Sequence, residues 1–275
     1  MAEKEKSWIR PEEFSIADEI AKMNLEHANS VSPLVKVRKS IYVKVVKRFI
    51  DIVVSALALV ITSPINLILC IATFFDVGRP ILYKQKRMGK DFKPFTIIKF
   101  RNMTNEKDEE GNLLPPAQRV TKMGKFVRKY SIDELLNFWS VFKGDMSLIG
   151  PRPMPVEYVD RMTERHKQRY SIRPGLECPL IPECEKRYPH PEPYSRYQAQ
   201  FESEIWYVQH VSFATDIKQA FRLIQRVFET KQRAGAASAA APFIGYDEEG
   251  CATSEKHWRK TPQGASTISL KGEID

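Results

Sequence analysis

The chain has 275 residues and a net charge of +9, from 43 basic and 34 acidic side chains. That length allows one substantial core with room for tails. Four scattered cysteines (Cys70, Cys178, Cys184, Cys251) exclude a disulfide scaffold and lack zinc-ribbon spacing, which fits a reducing compartment. The five histidines form no close pair with metal-ligand spacing and read as surface or packing residues. The charge is uneven: residues 1–40 are balanced, whereas residues 79–101 carry eight basic side chains against one acid, Asp91. Such a block suits an anionic membrane surface or a phosphorylated substrate. Nucleic acid is not expected as a partner, since zinc-finger, helix-turn-helix and aromatic-basic RNA signatures are absent.

Residues 1–40 read as a polar N-terminal extension, with Ser15 to about Ala28 as a short amphipathic helix, and not as a signal peptide. Residues 41–78 carry a membrane signal. From Phe49 to Phe75 the only charge is Asp51, so the run is long enough to cross roughly 30 Å of hydrocarbon. Ser63-Pro64 interrupts its middle, where proline removes a backbone hydrogen bond. Both flanks are basic (Lys44, Lys47, Arg48; then Arg79, Lys84, Lys86, Arg87), and basic residues favour the cytoplasmic side. The pattern predicts a re-entrant helix-break-helix that enters and returns on one face, with a spanning helix as the alternative. Asp51 lies i+3 from Arg48 and is expected to pair with it.

In residues 79–104, Ile81-Leu82-Tyr83 and Phe95-Thr96-Ile97-Ile98 predict two short strands joined by a Gly-Lys-Asp turn. This is either a solvated hairpin with lysines guarding its edges or a basic platform facing headgroups or a nucleotide diphosphate. Residues 105–118 read as an acidic loop and residues 119–130 as a basic helix. The next stretch, SIDELLNFWSVFKG, predicts an amphipathic helix with Ser131 as N-cap, Glu134 completing a capping box and Gly144 as the stop. Asp133 would then lie in the first turn, where the helix dipole favours an ionised carboxylate. As a plain capping box the motif would contribute about 1 kcal/mol of stability. As a functional one, an ionised carboxylate can be a nucleophile or a metal ligand, and Arg128 and Arg152 can hold a phosphate.

Residues 155–170 predict a charged helix with Val156, Val159, Met162 and His166 on one face and solvated charges elsewhere. Arg173-Pro174-Gly175 is a rigid turn, and residues 177–194 show no period. Residues 201–233 are helical, with Phe213, Ile217, Phe221, Ile224 and Phe228 in a stripe opposite Lys218, Arg222 and Arg226. That stripe faces either a core or a membrane interface. From Ala234 the chain is low-complexity and is expected to be a mobile tail.

Taken together, KRFID…SP, YKQKRMG, IIKFRNM, VRKYSIDELLNFWSVFKGDMSLIGPRP and RPG resemble the bacterial sugar transferases, the small monotopic phosphoglycosyl transferases. The resemblance runs from about Val43 to Gly175 and resumes weakly across Trp206–Phe228. It implies a protein on the cytoplasmic face of the bacterial inner membrane, with a re-entrant helix broken at Ser63-Pro64. It implies transfer of a sugar phosphate from a UDP-sugar to polyprenyl phosphate, giving UMP, by a ping-pong route through an acyl phosphate. By position in the motif, Asp133 is the nucleophile and Glu134 its dyad partner; both hold Mg2+, and Lys99, Arg128 and Arg152 are the phosphate-binding cations. After Gly175 the chain reads LECPLIPECEKRYPHPEPYSRYQ, where the family usually has Thr-Gly-Trp and Asn-Gly-Arg segments.

The expected architecture is α/β, mostly helical with a small β-hairpin. Residues 1–40 form an extension, 41–78 the re-entrant helix, 79–233 a compact cytosolic catalytic unit with interfacial amphipathic helices, and 234–275 the tail. Partners are the UDP-sugar, polyprenyl phosphate and membrane lipids, with the extensions suited to oligomerisation or to docking downstream glycosyltransferases. The alternatives are an inactive assembly scaffold, motivated by the altered segment after Gly175, and a single-span protein with a basic nucleic-acid-binding domain.

Overall fold

The computed structural model describes residues 22–114, 116–178, 181–188, 197–228 and 243–254. Helix α1 covers residues 22–31. A π-helical turn, Tyr42–Val46, leads into α2, Lys47–Val77. The hairpin β1 (Leu82–Met88) and β2 (Pro94–Phe100) follows, in antiparallel register from Leu82↔Phe100 to Met88↔Pro94. Then come α3 (Pro116–Arg119), α4 (Lys122–Lys129), α5 (Asn137–Lys143) and β3 (Ser147–Ile149). After these lie α6 (Glu164–Lys167), β4 (Gly175–Glu177), α7 (Pro182–Arg187), α8 (Tyr197–His210) and α9 (Phe213–Phe228). β3 pairs parallel with β4, and β5 (Phe243–Tyr246) pairs antiparallel with β6 (Ala252–Ser254). The molecule is thus mostly helical with small two-stranded sheets, as the sequence predicts.

Two helices are inside-out. In α2 the buried side chains include Lys47, Asp51, Ser55 and Thr73, while Phe49, Val60, Ile61, Leu67, Ile68 and Phe75 are exposed. In α9, Asp216 and Gln219 are buried while Phe213, Ile217 and Phe221 are exposed, so the described part of its apolar stripe does not face the core. The two inward charges at the foot of these helices, Lys47 and Asp216, satisfy each other, whereas Thr73 and Gln219 have no side-chain hydrogen-bond partner. Lys47 Nζ lies 2.5 Å from Asp216, whose two oxygens also accept from the Tyr42 and Tyr207 hydroxyls. Burying a charge is tolerated only with partners of this kind. The tail of α9 beyond Arg222, which holds Ile224, Arg226 and Phe228, lies outside the described side chains.

α2 is continuous through Ser63 and Pro64, without the expected break. A straight helix of that length would run about 46 Å. Yet both of its ends rest on the same body. At the first end, Arg48 donates to the carbonyls of Val141 and Phe142, and Asp51 accepts from the Ser147 hydroxyl and the Leu148 N–H. At the second, Leu69 packs with Phe100 and Val127, Asp76 accepts from the Thr121 hydroxyl, and Arg101 bonds the Val77 and Gly78 carbonyls. The predicted Arg48–Asp51 pair gives way to these longer-range contacts, because each group finds unpaired backbone or hydroxyl partners at the end of α5 and the start of β3.

Three further expectations are corrected. Residues 155–170 are not one helix: a 3₁₀ stretch, Val156–Arg161, stops before Thr163, which caps α6, and a second 3₁₀ turn, Gln168–Ser171, follows. Glu157, Asp160 and Glu164 are exposed and His166 is buried, as expected, but Arg161 and Arg169 are buried instead of solvated. Arg169 pairs with Glu204 at 2.5 Å, and His166 sits between Tyr246 (2.7 Å) and Glu202 (3.0 Å). Next, the expected mobile tail is folded where it is described. Phe243, Ile244 and Tyr246 are almost fully buried, and Phe243 and Tyr246 join a core with Phe201, Met162 and Tyr170. Finally, the described part of the N-terminal extension is integral. Ala28 is buried in that same core, Asn24 donates to the Tyr246 carbonyl, and Val35 exchanges two hydrogen bonds with Gln168. Residues 1–21, 229–242 and 255–275 lie outside the described residues.

Candidate active site

The site is assembled by a close backbone approach. Thr121 caps α4 by accepting from Gly124 N at 2.8 Å. A Cβ on Gly124 would lie 2.2 Å from the Asn102 carbonyl oxygen, so only glycine lets α4 lie against the end of β2. α4 then carries Arg128 to Asn102. The chain reverses at Ser131, which takes a left-handed conformation (φ 55°), and Ile132–Glu134 form one 3₁₀ turn. Ser131 makes no capping bond and the α-helix begins only at Asn137. The capping box is therefore absent, and Asp133 does not sit in the first turn of an α-helix. The left-handed residue lets Ile132 and Leu136 pack against Leu69, Phe100 and Val127, which outweighs the local capping preference. Gly144 does end α5, at φ 104°.

Asp133 is buried, 5% exposed. Its Oδ2 accepts from Asn102 Nδ2 at 2.8 Å, and Asn102 Oδ1 accepts from Arg128 Nε at 2.9 Å. Asn102 thus relays Arg128 to the carboxylate. Glu134 takes the other side, with Lys99 Nζ 2.5 Å from its Oε1. Arg152 lies near enough to stabilise the Glu134 carboxylate and is 3.9 Å from Glu177. The structure therefore brings Lys99, Arg128 and Arg152 around Asp133 and Glu134, from β2, α4 and the turn after β3. Ser63 and Pro64 lie elsewhere, within α2. The sequence reading missed Asn102, whose only signal was a polar residue directly after the strand-end Lys99 and Arg101. It also missed Arg87 and Glu177, which approach only through tertiary packing.

The two carboxyls are driven apart. Burial, and then the neighbouring Glu134 charge, push Asp133 up to about 6, against the pull of Lys99 and Arg128. This corrects the expectation that the site favours the ionised form. At neutral pH the group is still mostly ionised, and it is more basic than an ordinary aspartate. Glu134 goes the other way: burial opposes its charge, but Lys99 and Arg152 together hold it below the ordinary range. A pair split in this way suits one reactive and one permanently charged carboxylate.

Among the described residues no three His, Cys, Asp or Glu groups converge on a cation position. Magnesium, however, is usually held by one or two carboxylates completed by substrate phosphates and water. The adjacent Asp133 and Glu134 fit that donor set. Chemically, the arrangement offers a basic carboxylate beside three cations, able to receive an electrophilic phosphorus whose charge those cations offset.

Comparison with known proteins agrees in kind. The family model described as "Bacterial sugar transferase" matches residues 42–230. An uncharacterized sugar transferase of Bacillus subtilis is 37% identical over 183 residues, 66% of this chain and 87% of the relative. A UDP-glucose:undecaprenyl-phosphate glucose-1-phosphate transferase of Klebsiella pneumoniae is 37% identical, over 48% of this chain and 30% of the relative. A UDP-N-acetylgalactosamine-undecaprenyl-phosphate N-acetylgalactosaminephosphotransferase of Aeromonas hydrophila is 37% identical, over 48% of this chain and 32% of the relative. This chain thus spans about a third of the length of the latter two.

Proposed function

The chain belongs to the bacterial sugar transferase family, and from that premise we propose that it is a phosphoglycosyl transferase. It moves a sugar 1-phosphate from a nucleotide sugar, UDP-linked, to a polyprenyl phosphate such as the undecaprenyl phosphate in the relatives' names. The observation that carries this reading is the buried Asp133, tied through Asn102 to Arg128 and flanked by the Lys99–Glu134 pair, inside the matched region.

In the first half-reaction an Asp133 oxygen attacks the phosphorus that bears the sugar. An O–P bond forms, the bond between the two donor phosphates breaks, and UMP leaves with that electron pair. In the second, a phosphate oxygen of the polyprenyl phosphate attacks the same phosphorus, freeing the Asp133 carboxylate and yielding the polyprenyl diphosphate sugar. Lys99, Arg128 and Arg152 hold phosphate oxygens in place, and phosphoryl transfer depends mainly on such positioning and charge neutralisation. Asn102 fixes the Asp133 carboxylate, and Glu134 stays charged to orient Lys99. When bound at Asp133 and Glu134, Mg2+ supplies charge neutralisation on the phosphates.

The direct test is incubation with labelled UDP-sugars without acceptor. UMP release with label trapped on Asp133 is the expected result; absence of UMP release from every donor, even with lipid acceptor added, favours the inactive scaffold. A second expectation concerns pH. The nucleophile must be deprotonated, so the rate of UMP release should rise about tenfold per pH unit below about 6 and level off above it. A rate that is flat between pH 5 and 7 removes Asp133 from the nucleophile's role.

The helix Tyr42–Val77 is long and apolar enough to cross a membrane. Contact of both its ends with one catalytic body supports the re-entrant reading, with that body on the cytoplasmic side of the inner membrane. α9 then lies in the interface with Phe213, Ile217 and Phe221 toward lipid. Single cysteines at Lys44 and Arg79, in a background lacking the native ones, should both react with an impermeant maleimide from the same side of sealed vesicles. Labelling from opposite sides would show a spanning helix instead.

A further inference from the structure

At the start of β2, away from the dyad, two adjoining cavities of about 150 and 320 Å³ share Lys90 and Arg173. Lys44 and Lys47, from the start of the apolar helix, line the first cavity, and Lys93 lines the second. The acids nearby are largely engaged. Asp51 is bonded to Ser147 and Leu148, Asp145 lies 2.6 Å from Lys143, and Lys47 is taken by Asp216. Asp91 lies 3.5 Å from Lys90 with both side chains exposed, a pairing that contributes little. Lys44 and Lys93 have no ion pair among the described residues. Arg173 donates its Nε to the Gly144 carbonyl at 2.9 Å. Arg48 Nη2 lies 3.1 Å from where a Cβ on Gly144 would be, so two guanidinium groups meet at the end of α5. A concave space ringed by surplus positive charge calls for an anion from outside the chain.

This is not the dyad. Phe95 lines the second cavity, Ile97 is buried with it against Val141 and Met146, and Phe95 to Lys99 spans about 13 Å of strand. The surroundings identify the anion. Lys44 and Lys47 occupy the first turns of the apolar helix, beside exposed Ile41, Val45 and Phe49. Tyr42 packs its ring on Phe213, which opens the exposed apolar row of α9. We infer that these cavities form a headgroup site for an anionic phospholipid. Its phosphodiester sits among Arg173, Lys44 and Lys90, and its acyl chains lie along the two exposed apolar rows. The site anchors the foot of the helix at headgroup depth. It rests on the membrane reading above, and it is independent of the chemistry at Asp133.

The probe is water-soluble dioctanoyl-phosphatidylglycerol, titrated into the detergent-purified full chain, with dioctanoyl-phosphatidylcholine and inorganic phosphate in parallel. The expected result is binding of phosphatidylglycerol at least roughly tenfold tighter than phosphatidylcholine, a preference that Lys44→Gln/Lys90→Gln removes and Asp133→Asn leaves intact. Both lysines are exposed, and matching unfolding curves for the double variant and the wild type would confirm that it folds. Equal affinity for the two lipids, a preference unchanged in the double variant, or its loss in Asp133→Asn would each overturn the inference. So would inorganic phosphate binding as tightly as the lipid, which would mark a free-anion site. None of these readouts needs turnover, so an inactive wild type would sink the transferase reading while leaving the headgroup preference measurable.

Discussion

Asp133→Asn should abolish transfer and at the same time stabilise the fold. Loss of the attacking oxygen's charge removes the covalent route, and UMP release should fall by at least about a thousandfold. The stability effect has the opposite sign. The folded protein raises this carboxyl from 3.8 to about 6. A group raised on folding contributes its full stability below its unfolded value and loses it as pH rises through the folded one. At pH 7.5 the ionised Asp133 therefore costs the native state about 3 kcal/mol at most, from a two-unit shift. Asparagine keeps an oxygen for Asn102 and carries no charge, so the variant should gain 1 to about 3 kcal/mol at pH 7.5 and at most about 0.5 kcal/mol at pH 4. Denaturant unfolding at the two pH values measures this. Retained turnover would refute the assignment, and equal destabilisation at both pH values would refute the electrostatic argument. Such a trade of stability for reactivity is a common property of active sites.

Phe243→Ala should be the most damaging change far from the dyad. The ring is fully buried, with ring centroids of Phe201 at 5.2 Å, Tyr197 at 5.4 Å, Tyr158 at 5.7 Å and Tyr246 at 5.8 Å. Removing such a ring typically costs about 3–5 kcal/mol in transfer and cavity terms. A chain stopped at residue 242 should do worse, because Ala28, Met162 and Phe201 would lose the cover that the β5–β6 hairpin provides. Protease resistance and unfolding midpoint of the detergent-purified chain report both. A loss under about 1 kcal/mol for Phe243→Ala would mean that the hairpin is not part of the core.

Much of this was legible in the sequence, for local reasons. The β1–β2 hairpin, the basic helix α4 and the glycine that stops α5 follow from alternation, charge and conformational freedom over a few residues. The helix Tyr42–Val77 follows from an apolar run too long for a soluble helix. Arg128 and Arg152 could be read beside the acid pair as phosphate holders, but the place of Lys99 there came only from the family resemblance, because a separation of 34 residues from Asp133 encodes no distance. The errors share a cause. Ser131 looked like a cap, but packing of Ile132 and Leu136 turned the chain at that residue. Arg161 and Arg169 looked solvated, but Glu204 of α8 receives Arg169 and the Phe243 carbonyl, from a hairpin much later in the chain, accepts from Arg161.

By itself, then, the order of residues determined the type and rough place of the elements, the apolar helix with its basic flanks, and which residue types could serve phosphate chemistry. Periodicity, turn preference and net charge act within a few residues and so can be read directly. Only the folded chain decided that Asn102 holds Asp133, that burial raises that carboxyl, that α2 and α9 turn their polar sides inward, and that the last strands complete the core. Each of these depends on desolvation and contact between segments tens to hundreds of residues apart, and those are set by the whole packing arrangement and not by any stretch within it.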